Sequence, residues 1–311
     1  MNTVEADNLK YLLKRVNDRV FTADLSEVEL AALARIYIAV HNMVVVNDAE
    51  EEYGSREFYR RRINELYTIC SRRCINEQVC LEKRILLIYT LYQLLLNPTL
   101  CFVDHEKLNQ CEKMAYEVVT ECLQRQTAHA SDNTPLSFNA LLLIMELCGS
   151  LSEEELEEEE MIRYFRAQLA QWIQVLGQRD HWNNLPDKEA LQRLLILCRN
   201  SDIFLDATYD EKICRLKEYY RIRLSVVANR ENENTGYYQT LSLLYEIIKH
   251  DGFLSSDSLS VQKIIGSMQQ GIEAFPTDSA EQLFCLSWVI EGMCRQNLQE
   301  ANQKMVNTIY C

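Results

Sequence analysis

The sequence predicts an all-α protein built from six helical hairpins, and three observations support this fold class. Glycine and proline occur only 8 and 4 times in 311 residues, well below average usage of about 7% and about 5%. Alternating Val/Ile/Thr runs bounded by glycine, which are typical of strands, are missing. An almost purely apolar helix followed by a charged, one-sided helix recurs about every 50 residues. Because a helix apolar on all sides is enclosed and a one-sided helix covers a core, each pair predicts an inner and an outer helix.

A first helix, residues 6–20, precedes the hairpins. Its apolar face consists of Leu9, Leu12, Leu13, Val16 and Val20. We therefore expect residues 1–25 to form an N-terminal capping helix on a single six-hairpin domain, residues 26–311.

The six hairpins are then assigned in chain order from their apolar spacing. The inner helices are expected at 28–46, 81–96, 135–148, 186–198, 236–250 and 278–294. The outer helices are expected at 55–73, from 104 onward, and at 153–176, 208–227, 256–275 and 297–310. In the third outer helix the apolar face is Met161, Phe165, Leu169, Trp172 and Leu176. Ser26 with Glu29, Ser152 with Glu155, and Thr208 with Glu211 have the spacing of capping boxes.

Six hairpins can form a closed ring or an open stack. The count of six, and inner helices that are apolar on most sides, favour a closed (α/α)6 toroid with the inner helices in a central ring. The alternative is an open α-solenoid, in which each hairpin contacts only its neighbours. The tetratricopeptide, ankyrin and leucine-rich signatures are absent from the sequence.

Charge and cysteine usage restrict the partners and the compartment. The formal net charge of −14 repels phosphate backbones and anionic lipid surfaces, so we expect neither nucleic-acid nor membrane binding. The polar start of the chain does not resemble a signal peptide, and no apolar run reaches about 18 residues. Most of the 12 cysteines occupy apolar helical positions. We therefore expect reduced core cysteines in a cytoplasmic protein.

The most site-like residues lie in three polar loops between outer and inner helices. In a toroid these loops, 127–134, 177–184 and 229–235, gather at one end of the barrel, where loops on a rigid scaffold commonly carry function. The candidate ligand-binding residues at this end are His129, Asp132, Asp180, His181, Trp182, Asn184, Tyr237 and Tyr238. Ordinary solvated loops would show the same composition.

Motifs for metal or cofactor chemistry are not recognisable. The Cys70, Cys74 and Cys80 spacing, C-x3-C-x5-C, fits neither zinc ribbons nor ferredoxin-type clusters, and no phosphate-binding or nucleophile-elbow motif occurs. Paired carboxylates could hydrolyse a glycan. The candidate carboxylates at inner-helix starts are Asp187, Asp278 and Glu281. Asp187 and Asp278 are also natural N-caps. We therefore expect no metal and no cofactor.

The stretches Tyr245–Asp257 and Leu286–Gly292 resemble the closing part of LanC-like (lanthionine cyclase-like) toroids. The resemblance implies an (α/α)6 fold. That family activates peptide thiols with a Cys/Cys/His zinc site on glycine-rich loops, and its W-C-x-G and C-H-G motifs are not in this sequence. The resemblance therefore implies a non-catalytic relative that binds a peptide or protein.

Two functions follow from these observations. The first is a non-catalytic helical-repeat protein that binds a peptide or protein partner, including as an accessory to peptide maturation. The alternative is an enzyme on an (α/α)6 toroid, acting on a glycan or a peptide with carboxylates or histidines at the loop end. The missing catalytic motifs favour the first, and the oligomeric state is left open.

Overall fold

The computed structural model describes residues 3–18, 25–74, 80–97, 105–127, 138–150, 158–177, 188–216, 279–280, 282–284, 286–287 and 290–294. These residues are helical apart from short turns and caps and contain no strand, so the predicted all-α class is confirmed. Contacts divide the chain into two compact units, Met1–Glu112 with Gly271–Cys311, and Lys113–Gln270. The expected single domain over residues 26–311 stays a prediction.

The first unit contains the N-terminal helix, the first hairpin and the start of the second. Its helices are α1 (Thr3–Asn17), α2 (Glu27–Asn47), the short α3 (Glu50–Tyr53), α4 (Arg56–Cys74) and α5 (Leu81–Leu96). Helix α6 (His105–Thr127) begins in this unit and continues into the second. The C-terminal segment of the first unit adds helical residues between 280 and 294, where the sixth inner helix is expected.

The second unit contains the third hairpin and part of the fourth. Its helices are α7 (Phe138–Ser150), α8 (Glu158–Leu176) and α9 (Lys188–Phe204). A 3-10 turn, Ala207–Tyr209, leads into helical residues 210–216. The fifth hairpin, the end of the sixth and the proposed capping box at Ser152 lie outside the described residues.

Burial follows the predicted alternation of enclosed and one-sided helices. Inner helices have consecutive buried residues, which at 3.6 residues per turn cover every side of the helix; α5 is buried without interruption from Ile85 to Tyr92. Outer helix α4 instead buries a single face, Tyr59, Ile63, Leu66 and Cys70, as its sequence predicts. In α8 the predicted residues Phe165, Leu169, Trp172 and Leu176 are buried as well.

Two inner helices pack against the hairpin that precedes them in the chain. Outer helix α4 packs against its own inner helix α2 and against the next inner helix α5, and these two inner helices pack together. In the second unit, α9 packs against α7 and α8. Packing of α5 and of α9 against the preceding hairpin is the arrangement that a helical-hairpin repeat requires.

Helix α1 buries the apolar face that its sequence predicts, and its role as a cap on the hairpins stays a prediction. Leu9, Leu12 and Val16 are fully buried. The Lys10 ammonium lies 3.0 Å from the Glu52 carboxylate and 5.9 Å from the Tyr53 ring centroid. Helix α1 packs against α3, and this partly exposed ion pair lies between the two helices.

Helix α2 is the one described helix that is long and apolar enough to cross a membrane by length and composition. Within the protein, 61% of its most apolar window is buried. It packs against α4 and α5. A buried core helix can be as long and as apolar as a membrane-spanning helix.

The capping box predicted at the start of α2 is confirmed. The Glu29 N–H donates to Ser26 Oγ over 3.3 Å, and the Ser26 N–H donates to the Glu29 carboxylate over 2.9 Å. Each side chain thereby satisfies a backbone N–H that has no partner within the helix.

Replacing Ser26 with alanine is expected to lower the free energy of unfolding by about 1 kcal/mol, the usual effect of losing an N-cap. Urea denaturation measures the change. Thr68→Ala serves as the control, because the exposed Thr68 hydroxyl bonds the carbonyl of its own helix at Asn64 and caps nothing. Equal losses in the two variants would show that the box contributes nothing specific.

Several predicted helix boundaries were wrong, and three of them have an identifiable physical reason. Helix α9 continues past Cys198 to Phe204, because Asn200 is buried and donates to the Ile196 carbonyl, and Phe204 is buried against Phe165. Asp206, not Thr208, caps the next segment, accepting hydrogen bonds from both the N–H and the hydroxyl of Thr208. At the sixth inner helix the capping pair is Ser279 with Gln282, one residue after the expected cap, Asp278.

Candidate functional site

The predicted loop residues lie outside the described part of the chain. These are His129, Asp132, Asp180, His181, Trp182, Asn184, Tyr237 and Tyr238. Their grouping at one end of a barrel, and any catalytic role for them, stay predictions.

An open groove in the second unit is the most site-like feature of the described residues. It encloses about 660 Å³ between helix α8 and residues 209–216, and we call it the α8 groove. The described residues that line it are Ala167, Ala170, Gln171, Ile173, Gln174, Gly177, Tyr209, Lys212, Arg215 and Leu216. It combines apolar, amide and cationic groups, as ligand sites commonly do.

One face of α8 forms the first wall of the groove. Ala167, Ala170, Gln171 and Gln174 recur at intervals of three and four residues, so they lie along one side of the helix. This side is distinct from the buried face that carries Phe165 and Leu169. The alanines and Gly177 leave space that longer side chains would fill, and the two glutamine amides supply donors and acceptors.

Gly177 closes this wall at the end of α8. Its N–H donates to the Ile173 carbonyl over 3.0 Å. A Cβ at this position would lie 3.0 Å from the same carbonyl oxygen, a contact tighter than van der Waals packing normally allows. Glycine therefore lets the backbone approach closely here.

The second wall is cationic. Lys212 Nζ lies 5.5 Å from the Tyr209 ring centroid, which is within the range of a cation–π contact. Arg215 pairs with Glu211 one helical turn earlier, and both side chains are about three-quarters exposed. The charged residues among the described lining are Lys212 and Arg215, so this wall presents cations in a chain of net charge −14.

The first unit contains a second polar cluster, which is almost closed to solvent. Arg35 of α2 donates to the Glu291 carboxylate over 3.0 Å and to the Tyr89 hydroxyl of α5 over 3.3 Å. Its guanidinium lies 5.9 Å from the Phe284 ring centroid. The side chains of Arg35 and Glu291 are only 8% and 18% exposed. A paired and buried arrangement of this kind ties helices together, and we call it the Arg35 cluster.

His41 is a core residue. It is 3% exposed in α2, and burial is the main reason that its pKa is lowered, with Arg60 and Arg56 acting in the same direction. Among the residues that the structure describes, no group of three or more His, Cys, Asp or Glu side chains is placed to hold a metal ion.

The described cysteines are free thiols that differ in burial, with Cys74 of intermediate exposure. Cys70, Cys111, Cys122 and Cys294 are buried, whereas Cys80 and Cys214 are exposed. Burial raises the pKa of Cys70 and of Cys111 to about 12, and that of Cys74 to about 11. Because the thiolate is the nucleophile, the buried cysteines are unreactive core residues, as the sequence indicates.

Brief alkylation of the native protein at pH 8 is expected to modify Cys80 and Cys214 and to leave Cys70 and Cys111 unmodified. The buried thiols are both inaccessible and protonated at that pH, and unfolding in urea should expose them. Mass spectrometry of peptides after alkylation measures the order in which the cysteines are modified. Early modification of Cys70 would contradict the packing of α4.

Sequence reasoning missed the α8 groove for an identifiable reason. The apolar spacing of α8 predicts its buried face, and no inference was drawn from the opposite face. The available signal was a run of small and amide residues, Ala167, Ala170, Gln171 and Gln174, on the exposed side of an outer helix. Which neighbouring segment faces that side depends on tertiary packing.

Comparison of the chain with protein-family models, with curated proteins and with solved structures gave no match.

Proposed function

We propose that this protein is a non-catalytic helical-repeat protein that binds a peptide or protein partner, and that the α8 groove is its binding site. The observation that supports this proposal is the groove itself, about 660 Å³ with apolar, amide and cationic walls. Rigid helical scaffolds commonly bind extended peptides on such surfaces.

The dimensions of the groove suit a short extended segment. Ala167 and Gly177 mark its ends on α8, and ten helical steps of about 1.5 Å give a length of roughly 15 Å. An extended chain at roughly 3.3 Å per residue covers that length with about five residues. Gln171 and Gln174 can pair with the backbone of such a segment, because each amide offers donors and an acceptor.

The lining chemistry favours binding over catalysis. The described lining residues include no histidine, cysteine or carboxylate, the groups that most often carry acid–base or nucleophilic chemistry. Tyr209, Lys212 and the two glutamines are suited to holding a ligand in place.

Comparative affinity capture from the native cells tests the proposal. The bait proteins are the wild type, the double variant Lys212→Glu/Arg215→Glu and the groove-filling variant Ala167→Trp. Arg61→Glu/Lys113→Glu is the matched control, since it makes the same charge change at exposed positions outside the groove. Circular dichroism establishes that each bait is folded.

We expect one or more proteins to be recovered with the wild type and the control, and to be lost with both groove variants. Exposed substitutions on a helix surface change stability little, so the loss would report on the groove. Identical recovery by all four baits would overturn the groove as the binding site.

We further propose that the six hairpins close into an (α/α)6 toroid, as in the LanC-like family that the sequence resembles. The Arg35 cluster supports closure, because it joins α2 of the first hairpin to Glu291 in the sixth inner helix, 256 residues away. In an open solenoid, where each hairpin contacts only its neighbours, the first and sixth hairpins would lie apart. The free thiols fit a reducing compartment, and we propose a cytoplasmic location.

A further inference from the structure

We infer that the α8 groove takes an acidic peptide segment in extended conformation, with two carboxylates that face Lys212 and Arg215. The inference rests on the proposed function, since it names the chemistry of the partner for the same groove. Its basis is charge complementarity together with the spacing of the two cations.

The groove presents two cations in an acidic chain. The sequence has 46 acidic and 32 basic residues, and the charged side chains among the described residues that line the groove are Lys212 and Arg215. An ammonium and a guanidinium beside a groove favour anionic segments over basic ones.

Both cations are available to a ligand carboxylate. The Arg215–Glu211 pair is about three-quarters exposed on both sides, and exposed pairs of this kind are weak. An incoming carboxylate can therefore displace Glu211 from Arg215, or bind Arg215 together with Glu211. The guanidinium can bind that carboxylate through two parallel hydrogen bonds. The Tyr209 ring beneath Lys212 holds that ammonium beside the groove.

The cation spacing specifies the spacing of the ligand carboxylates. Lys212 and Arg215 are three residues apart on helical backbone, so they share one face with Cβ atoms roughly 5–6 Å apart. In an extended peptide the side chains of residues i and i+2 share a face at roughly 6.6 Å. The geometry therefore matches an acidic–x–acidic segment. The apolar residues Ala167, Ala170 and Leu216 suit small or aliphatic side chains beside it.

Fluorescence anisotropy with three labelled peptides tests the inference. The probes are ALEVELA, its neutral counterpart ALQVQLA and its basic counterpart ALKVKLA, measured into the millimolar range. The proteins are the wild type, Lys212→Glu/Arg215→Glu, Ala167→Trp and the control Arg61→Glu/Lys113→Glu.

We expect the wild type and the control to bind the acidic peptide roughly 10-fold more tightly than the neutral one, from two exposed charge pairs. The charge-reversed variant should lose this preference and favour the basic peptide. Raising the salt concentration should weaken the acidic complex, because screening shortens the range of exposed charge interactions. Ala167→Trp should weaken all three complexes.

The outcomes separate this inference from the proposed function. Equal binding of the acidic and neutral peptides, lost in Ala167→Trp, would overturn the acidic ligand and leave the groove as a binding site. Acidic-peptide binding that all four proteins share would overturn both. A wild-type dimer in sedimentation that the charge-reversed variant lacks would identify a second copy as the occupant. Tighter binding of oligothymidylate than of the acidic peptide would likewise overturn the inference.

Discussion

Replacing Arg35 with methionine is expected to lower the free energy of unfolding by about 3–5 kcal/mol, because it leaves one partner of a buried ion pair behind. Glu291 is only 18% exposed and would lose a charged donor at 3.0 Å. The Tyr89 hydroxyl would lose the guanidinium as well. Urea denaturation followed by circular dichroism measures the loss.

The double variant Arg35→Met/Glu291→Leu is expected to recover most of that stability. Apolar residues of similar volume often replace a buried ion pair at little net cost, so the two substitutions should be strongly non-additive. Arg215→Met is the matched control, since the Arg215 side chain is 75% exposed and its loss should change stability by about 0.5 kcal/mol or less. Additive losses from the Arg35 and Glu291 substitutions would show that α2 and the sixth inner helix do not pack as proposed.

Replacing Phe204 with alanine is expected to lower the free energy of unfolding by about 3–5 kcal/mol, as usual for a fully buried phenylalanine. Phe204 is 1% exposed, and its ring centroid lies 5.3 Å from that of Phe165 on α8. The substitution removes the aromatic pair and leaves a cavity where α9 meets α8. Urea denaturation, monitored by near-UV absorbance of the aromatic residues, measures the effect.

Two comparisons make the Phe204 result specific. Phe204→Leu keeps most of the buried volume and should lose much less stability than the alanine variant. Tyr11→Ala removes an aromatic ring of similar size that is 40% exposed, and it should change stability by about 0.5 kcal/mol or less. If Phe204→Ala were no more destabilising than Tyr11→Ala, the extension of α9 to residue 204 would be incorrect.

The helices could be predicted because their signals are local. Tyr59, Ile63, Leu66 and Cys70 are spaced three and four residues apart, so they lie on one face of a helix. An apolar face of this kind packs against the core of the protein. The capping box at Ser26 is equally local, since its partners lie three residues apart.

Features that depend on tertiary contacts could not be predicted from local sequence. Arg199-Asn-Ser-Asp202 has the composition of a turn, yet helix α9 runs through it because Phe204 finds a buried partner in Phe165. The pairing of Arg35 with Glu291 spans 256 residues, and no periodicity encodes it. The α8 groove depends in the same way on which segment lies beside α8.

Amide hydrogen exchange of the protein, alone and with the partner recovered by affinity capture, tests the central claim most directly. We expect slower exchange on binding at residues 167–177 and 209–216, the two walls of the α8 groove, and no protection in Lys212→Glu/Arg215→Glu under the same conditions. Protection confined to other helices, with the groove unchanged, would show that the partner binds elsewhere.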